Sequence, residues 1–312
     1  MSSNLEIKTL PVRFISDPRT ANAFLIKGEC NVLVDNGPKQ SPTDGYLFQE
    51  LKKNSADPGS IKPVLFTHGH QDHVGGANVL QALGADLYIS KPDAIFLQNH
   101  PEAFKSDLLL LARMKGLDIS VAEENFRKTM PDEVAEVQLI AVGDTLEFGD
   151  VKLDVIDMAG HTYGSVGLYL EREGVLFGGD AICGTGPRQG CLPLIYSLDD
   201  YIETTKRIQR SGIGHILLAH DFLAPGLKPD YDQSGAGLPL YLSISAEVAE
   251  RVRDEAAKCA GQREEPFIQV CNQILGALPE VFGFMPIEQQ VMPEMTLRTL
   301  IFALRDFAGW EV

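Results

Sequence analysis

Cysteine is scarce and irregularly placed: Cys30, Cys183, Cys191, Cys259 and Cys271 are all there are in 312 residues, with no CxxC pair. An odd set without that spacing suits reduced thiols in a cytoplasm better than a disulfide framework. Basic charge is also short, 27 Lys and Arg against 43 Asp and Glu, for a formal net charge of −16. No basic cluster exceeds "LKK" or "KR". An acidic surface repels phosphate backbones and anionic membranes, which disfavours a nucleic-acid partner or a membrane-surface role. Long apolar runs are missing too: "LLLLA" at 108–112 is far too short to span a bilayer. The opening "MSSNLEIKTLPVRF" lacks the basic-then-apolar order of a signal peptide, so the expected location is cytoplasmic. Internal repeats and low-complexity tracts are absent from the sequence.

What remains is the length and patterning of a soluble α/β protein. Short strands are expected in "LEIKTLPVRFI", "ANAFLIK" and "NVLVDNG", the last two forming a hairpin about Gly28-Glu29. "SPTDGYLFQELKKN" reads as a helix with Ser41 or Thr43 as cap, "IKPVLFT" as a buried strand, "HVGGANVLQALG" as a helix stopped by Gly84, and "ADLYIS" as a strand. Residues 92–128 have helical spacing only and read as an insertion. Strands resume in "EVQLIAV", "DTLEFGD", "VKLDVIDMAG", "SVGLYLE" and "GVLFGGD". A glycine-rich loop, the helix "SLDDYIETTKRIQRSG" and the strand "HILLAH" follow. After "LKPDYDQSGAGLP" (227–239) the chain is mostly helical. The expected organisation is a domain at 1–236, with its insertion at about 92–128, and a helical extension at 237–312. The sheets should be mixed, because the runs are short and the hairpins local.

The polar residues of interest fall where apolar runs end. "NVLV" runs into Asp35, "PVLFT" into His68, "LDVIDMAG" into His161, "VLFGG" into Asp180 and "ILLA" into His220. Strand ends gathered at one edge of stacked sheets would bring these groups together. The loop "THGHQDHVGG" adds His70, Asp72 and His73, three of the chain's seven histidines standing in six residues with His68. Imidazole and carboxylate suit zinc, iron or manganese. His68, His70, Asp72, His73, His161, Asp180 and His220 are too many donors for one four-coordinate ion and fit two ions sharing a carboxylate. His100 and His215 read as structural or solvated, and Ser165, Cys183 and Cys191 as loop or packing residues.

The HxHxDH loop, the later His161, Asp180 in "FGGD" and His220 resemble the metallo-β-lactamase superfamily. Thr67, Gly75-Gly76 and "GHTYGSVGLYL" are similar to its glyoxalase II-like hydrolase branch, and the resemblance covers roughly residues 10–222. It implies a four-layer αββα sandwich. It also implies one metal on His68, His70 and His161, a second on Asp72, His73 and His220, and Asp180 bridging. Asp35 and Thr67 would stand behind these ligands, Asp35 orienting a histidine. Two divalent ions, zinc before iron or manganese, would share a bridging hydroxide that attacks an electrophile, with Asp72 or Asp180 moving the proton.

The expected activity is hydrolysis of a small ester-like substrate, a thioester or lactone before a phosphoester. Tyr196, after the glycine-rich loop, and Tyr163 are candidates for binding substrate. Flavodiiron oxidoreductases carry a glutamate where His70 stands, and true β-lactamases usually lack this Asp-His pair and are secreted. Two alternatives stay open: a mononuclear iron persulfide dioxygenase, whose metal takes two histidines and one aspartate, and a regulatory protein that keeps the metal site. The C-terminal helices carry Arg251, Arg253 and Lys258 but no glutathione-binding pattern, and a homodimer could form through the helical additions.

Overall fold

A computed structural model describes residues 5–15, 19–40, 45–291 and 293–310. Ser41 and Thr43, the expected helix caps, lie outside the described residues. The first sheet holds β1 (Glu6–Arg13), β2 (Thr20–Lys27), β3 (Val32–Val34), β4 (Pro63–Leu65), β5 (Asp86–Ser90) and β6 (Gln138–Ile140) in that spatial order. The second holds β7 (Thr145–Phe148), β8 (Val151–Asp157), β9 (Val166–Leu170), β10 (Val175–Gly179), β11 (His215–Phe222) and β12 (Asp230–Ser234), also in order. Both are mixed. β1, β2 and β3 pair antiparallel and β3 to β6 parallel. In the second sheet β10 and β11 alone pair parallel.

The helices are α1 (Tyr46–Lys53), α2 (Gln71–Val74), α3 (Ala77–Ala82), α4 (Ile95–Gln98), α5 (His100–Asp107), α6 (Leu109–Met114), α7 (Ile119–Thr129), α8 (Leu198–Ser211), α9 (Leu238–Lys258), α10 (Phe267–Ala277) and α11 (Pro293–Ala308). A parallel strand pair needs a crossover, and α8 supplies it between β10 and β11. Ser197 caps that helix through Asp200 N, and Gly212 closes it in the left-handed region at φ 79°.

Alternation along the strands explains the layering. Side chains of period two point to opposite faces, so a strand apolar at every position must be covered twice. Phe24, Ile26, Val34 and Leu65 face Leu168, Phe177 and Leu217 across the space between the sheets. Their neighbours Leu25, Leu33 and Val64 face outward onto Leu51, Leu80 and Phe104 from α1, α3 and α5. On the other side Leu176, Ile216 and Leu218 face Ile202, Leu242 and Leu300 from α8, α9 and α11. The result is the four-layer αββα sandwich with a helical insertion and helical C-terminal region. The C-terminal helices share their core with the second sheet. No single helix among the described residues is long and apolar enough to cross a membrane.

Two local expectations are corrected and one strand is added. The helix expected after the histidine loop is broken into α2 and α3 at Gly75-Gly76. Gly75 N donates to Gly37 O at 2.9 Å, and a Cβ on Gly75 would lie 2.0 Å from Lys39 N. That contact with the 37–39 backbone turns the chain and excludes any side chain. The stretch 227–239 contains β12, whose polar "DYDQS" pairs through backbone at the sheet edge and so shows no apolar signal. β11 runs on past His220 to Phe222, where the expected strand "HILLAH" stops at His220, although its pairing with β12 shifts register between Leu217 and Phe222.

Candidate metal centre

The ends of β3, β4, β8 and β10 and the far part of β11 meet at one edge of the sandwich. There the structure brings together His68, His70, Asp72, His73, His161, Asp180 and His220. His68 Nε2 lies 3.1 Å from His70 Nδ1, which lies 2.9 Å from His161 Nε2. His220 Nε2 lies 3.1 Å from Asp72 Oδ2, and His73 Nε2 lies 3.9 Å from Asp72 Oδ1. Asp180 stands between these two sets, its oxygens 3.6 Å from His73 Nε2, 3.9 Å from His161 Nε2 and 3.5 Å from His220 Nε2.

Each of the five imidazoles uses one nitrogen for an outer partner and turns the other inward. His68 Nδ1 contacts Thr67 Oγ1 at 3.2 Å, and that hydroxyl donates to Asp35 Oδ2 at 2.8 Å. His73 Nδ1 meets the same Asp35 Oδ2 at 2.9 Å, while Asp35 Oδ1 accepts from Thr67 N at 2.9 Å. His161 Nδ1 donates to Leu194 O at 2.7 Å and His220 Nδ1 to Thr20 O at 2.8 Å. His70 Nε2 meets the Tyr196 hydroxyl at 3.0 Å. These outer bonds put a hydrogen on the outward nitrogen and turn the other nitrogen inward, where a metal ion would find a lone pair at His68, His70 and His161 and would displace a proton at His73 and His220. Asp35 adopts φ 55°, a left-handed conformation that aspartate tolerates better than most side chains. Gly179, at φ 54°, lets β10 turn toward Asp180; a Cβ there would lie 2.2 Å from Thr67 Oγ1.

The charge environment suits a cation. Burial, together with the neighbouring imidazoles, pushes His68 and His70 well below the ordinary imidazole range, and burial also lowers His161. Neutral imidazole is the form that coordinates metal. Around Asp72 the balance is reversed. Burial opposes charge, but Asp35 and Asp180 hold His73 well above its usual value, and Asp180 and Asp72 hold His220 above its own. The imidazoles of His220 and His73 outweigh burial and hold Asp72 well below the usual carboxylate range. His73 Nε2 and Asp180 Oδ1 are buried, face each other, and have no hydrogen-bond partner. A divalent ion would satisfy both, and the all-nitrogen and oxygen donor set is of the right kind.

Three further residues had no clear signature in the sequence. Asp93, buried, accepts from Gly69 N and Thr162 Oγ1, both at 2.8 Å, and so ties the HGHQDH loop to the His161 loop. Burial raises its carboxyl to about 6 despite those bonds. Asp107, at the end of α5, accepts from the Tyr196 hydroxyl and pairs with Arg298 of α11. Arg298 also donates to the Tyr196 hydroxyl at 2.9 Å, and burial lowers its guanidinium to about 9. A lone arginine among buried Thr296, Leu297, Thr299 and Leu300 was the one available hint. Tyr196 and Tyr163, expected to meet substrate, do not line the cleft. Tyr196 is buried against His70, and Tyr163 is exposed, its ring 5.6 Å from that of Tyr196 and its hydroxyl accepting from Arg305 at 3.1 Å. His215 pairs with Asp232, and His100 is buried beside Glu133, both away from the cluster.

A sequence model of the Metallo-beta-lactamase superfamily matches residues 16–220. A hydroxyacylglutathione hydrolase of Erythrobacter litoralis is 26% identical over 137 residues, which cover 44% of this chain and only 40% of that protein. An acyl-coenzyme A thioesterase of Bos taurus is 27% identical over 203 residues, 63% of this chain and 70% of that one. Among solved structures, a metallo-beta-lactamase family protein from Thermus thermophilus superimposes with a TM-score of 0.68 at 21% identity, covering 96% of this chain and 93% of its own. With the family pattern, the sandwich and the histidine–aspartate cluster in agreement, the chain belongs to the metallo-beta-lactamase superfamily.

Proposed function

We propose that this metal-dependent hydrolase cleaves a small thioester at two divalent ions, with lactones as a second class of substrate. In this reading His68, His70 and His161 hold one ion, Asp72, His73 and His220 hold the other, and Asp180 bridges. Zinc is the first choice of metal. The observation that carries the proposal is the orientation of the five imidazoles, each anchored outward and aimed inward at two adjacent donor sets. The inward nitrogens of His73 and His220 favour two ions over the single iron of a persulfide dioxygenase, which would leave them unused. Relatives named for acyl-coenzyme A and for hydroxyacylglutathione support a thioester over a phosphoester.

Two such ions, when bound, make a water acidic enough to ionise near neutral pH and polarise the substrate carbonyl. Asp72 lines the cleft and takes the water's proton on a carboxylate oxygen. The oxygen adds to the acyl carbon, the C–S bond breaks, and Asp72 returns the proton to sulfur, releasing a carboxylic acid and a thiol. Asp35, Thr67 and Tyr196 keep the imidazoles in the required tautomers throughout.

Elemental analysis of the purified protein, with a panel of thioesters, lactones and phosphoesters, tests this. Two equivalents of metal and chelator-sensitive thioester cleavage that Asp72→Asn lowers at least 100-fold are expected. Stoichiometric metal with no cleavage of any ester would overturn it.

A further inference from the structure

The metal centre opens into a cavity of about 710 Å³, a size that accommodates a small organic ligand. Asp72, Asp180 and His220 line part of it, the insertion builds one wall, and Phe14, Arg19, Thr20 and the start of α11 close much of the rest. Phe104, Leu108, Leu111, Ala112, Phe126 and Met130 form that wall, and all except partly buried Leu108 belong to the buried core. None offers a strong hydrogen-bonding atom; Asn125 and Thr129 of α7 also line the cavity but are exposed at its rim, so a peptide-like or sugar-like group seated against the buried part of the wall would leave its polar atoms unpaired. The charged groups on this side are already matched. Arg298 pairs with Asp107, and Lys115 pairs with Glu294 at 3.0 Å nearer the solvent. An alkyl chain, by contrast, gains from every methylene it buries.

We infer that the helical insertion forms an acyl-chain chamber, so that the substrate is a thioester of an apolar, medium-length fatty acid. Its carbonyl would lie at the histidines and its tail between α5, α6 and α7. The inference rests on the hydrolase reading for the chemistry at the carbonyl, while the fit of the tail stands on the chamber alone.

The test uses N-acetylcysteamine thioesters from butanoyl to decanoyl with the metal-loaded protein, and binding of 11-(dansylamino)undecanoic acid followed by fluorescence. The wild type should gain about fourfold in kcat/KM per added methylene over part of the series. Ala112→Phe, which fills the chamber, should lower the decanoyl-to-butanoyl ratio of kcat/KM at least tenfold and weaken the probe by a similar factor. Ala122→Phe, at a half-buried position on the same wall, gives the same reading should the first variant fail to fold. A flat chain-length profile, with the probe bound equally by wild type and Ala122→Phe, would overturn the chamber. Probe binding that the variants weaken, in a protein that cleaves no thioester of any length, supports the chamber and overturns the hydrolase reading instead.

Discussion

Replacing Asp35 with asparagine should cost metal affinity while leaving the fold in place. Asparagine has the same shape and tolerates the φ of 55° found there. What it cannot do is accept on both sides. Asp35 Oδ1 takes the Thr67 amide at 2.9 Å, and Oδ2 takes the Thr67 hydroxyl at 2.8 Å and His73 Nδ1 at 2.9 Å. An amide placed with its nitrogen toward His73 faces a donor with a donor, and His73 relieves the conflict by moving its hydrogen to Nε2. That nitrogen is the one turned into the metal centre, so the lone pair is lost. Flipping the amide only transfers the conflict to the Thr67 backbone. Groups that orient metal-bound histidines are typically worth about 10–100-fold in affinity, or about 1.4–2.8 kcal/mol. In the proposed two-ion arrangement the ion on Asp72, His73 and His220 should weaken by that factor, and the other ion less, because Thr67 still contacts His68. Competition against a chromophoric chelator resolves the two affinities. If Asp35→Asn binds both ions as tightly as the wild type, the tautomer argument is wrong.

Tyr196→Phe removes the oxygen that meets His70 Nε2. It should weaken the ion on His68, His70 and His161 about tenfold, seen as lower residual metal after dialysis; full retention would put the tyrosine outside the metal's support. Asp93→Asn should show a pH signature in chelator-treated protein. Its folded carboxyl, raised from 3.8 to about 6, contributes stability that is complete below about pH 4 and lost as pH rises through 6. Wild type should therefore lose about 3 kcal/mol relative to the asparagine variant across that window, measured by urea unfolding. A pH-independent difference would refute the burial argument. Gly75→Ala forces a Cβ to 2.0 Å from Lys39 N and should lower stability by about 3 kcal/mol in thermal unfolding.

The centre is more legible in the sequence than the surroundings that hold it. Three histidines and an aspartate in one loop, and polar residues at the ends of apolar runs, carry their own chemical meaning. The four layers can be inferred only indirectly, because strands such as "AFLI" and "VLV" are apolar on both faces and show no alternation. β12 leaves no such trace because an edge strand is selected by backbone pairing and can be wholly polar. The break after His73 depends on the distant 37–39 segment, which no local pattern encodes. Asp93, Asp107 and Arg298 act through partners more than 20 residues away, so their neighbours in sequence say little about them. Tyr196 stands out for its position after the glycine-rich loop, but that position does not reveal which side of His70 the ring occupies.

His220 is joined to Thr20 of β2 by its outer nitrogen while its inner nitrogen faces Asp72. One ring thus spans a contact between residues 200 apart in the chain. As the protein leaves the ribosome, six of the seven donors are made before this one, and the second set stays open until β11 docks across the N-terminal sheet. In the proposed two-ion arrangement, loading of that ion would be a late event in maturation, and its arrival would clamp a strand made late, β11, to one of the first made, β2.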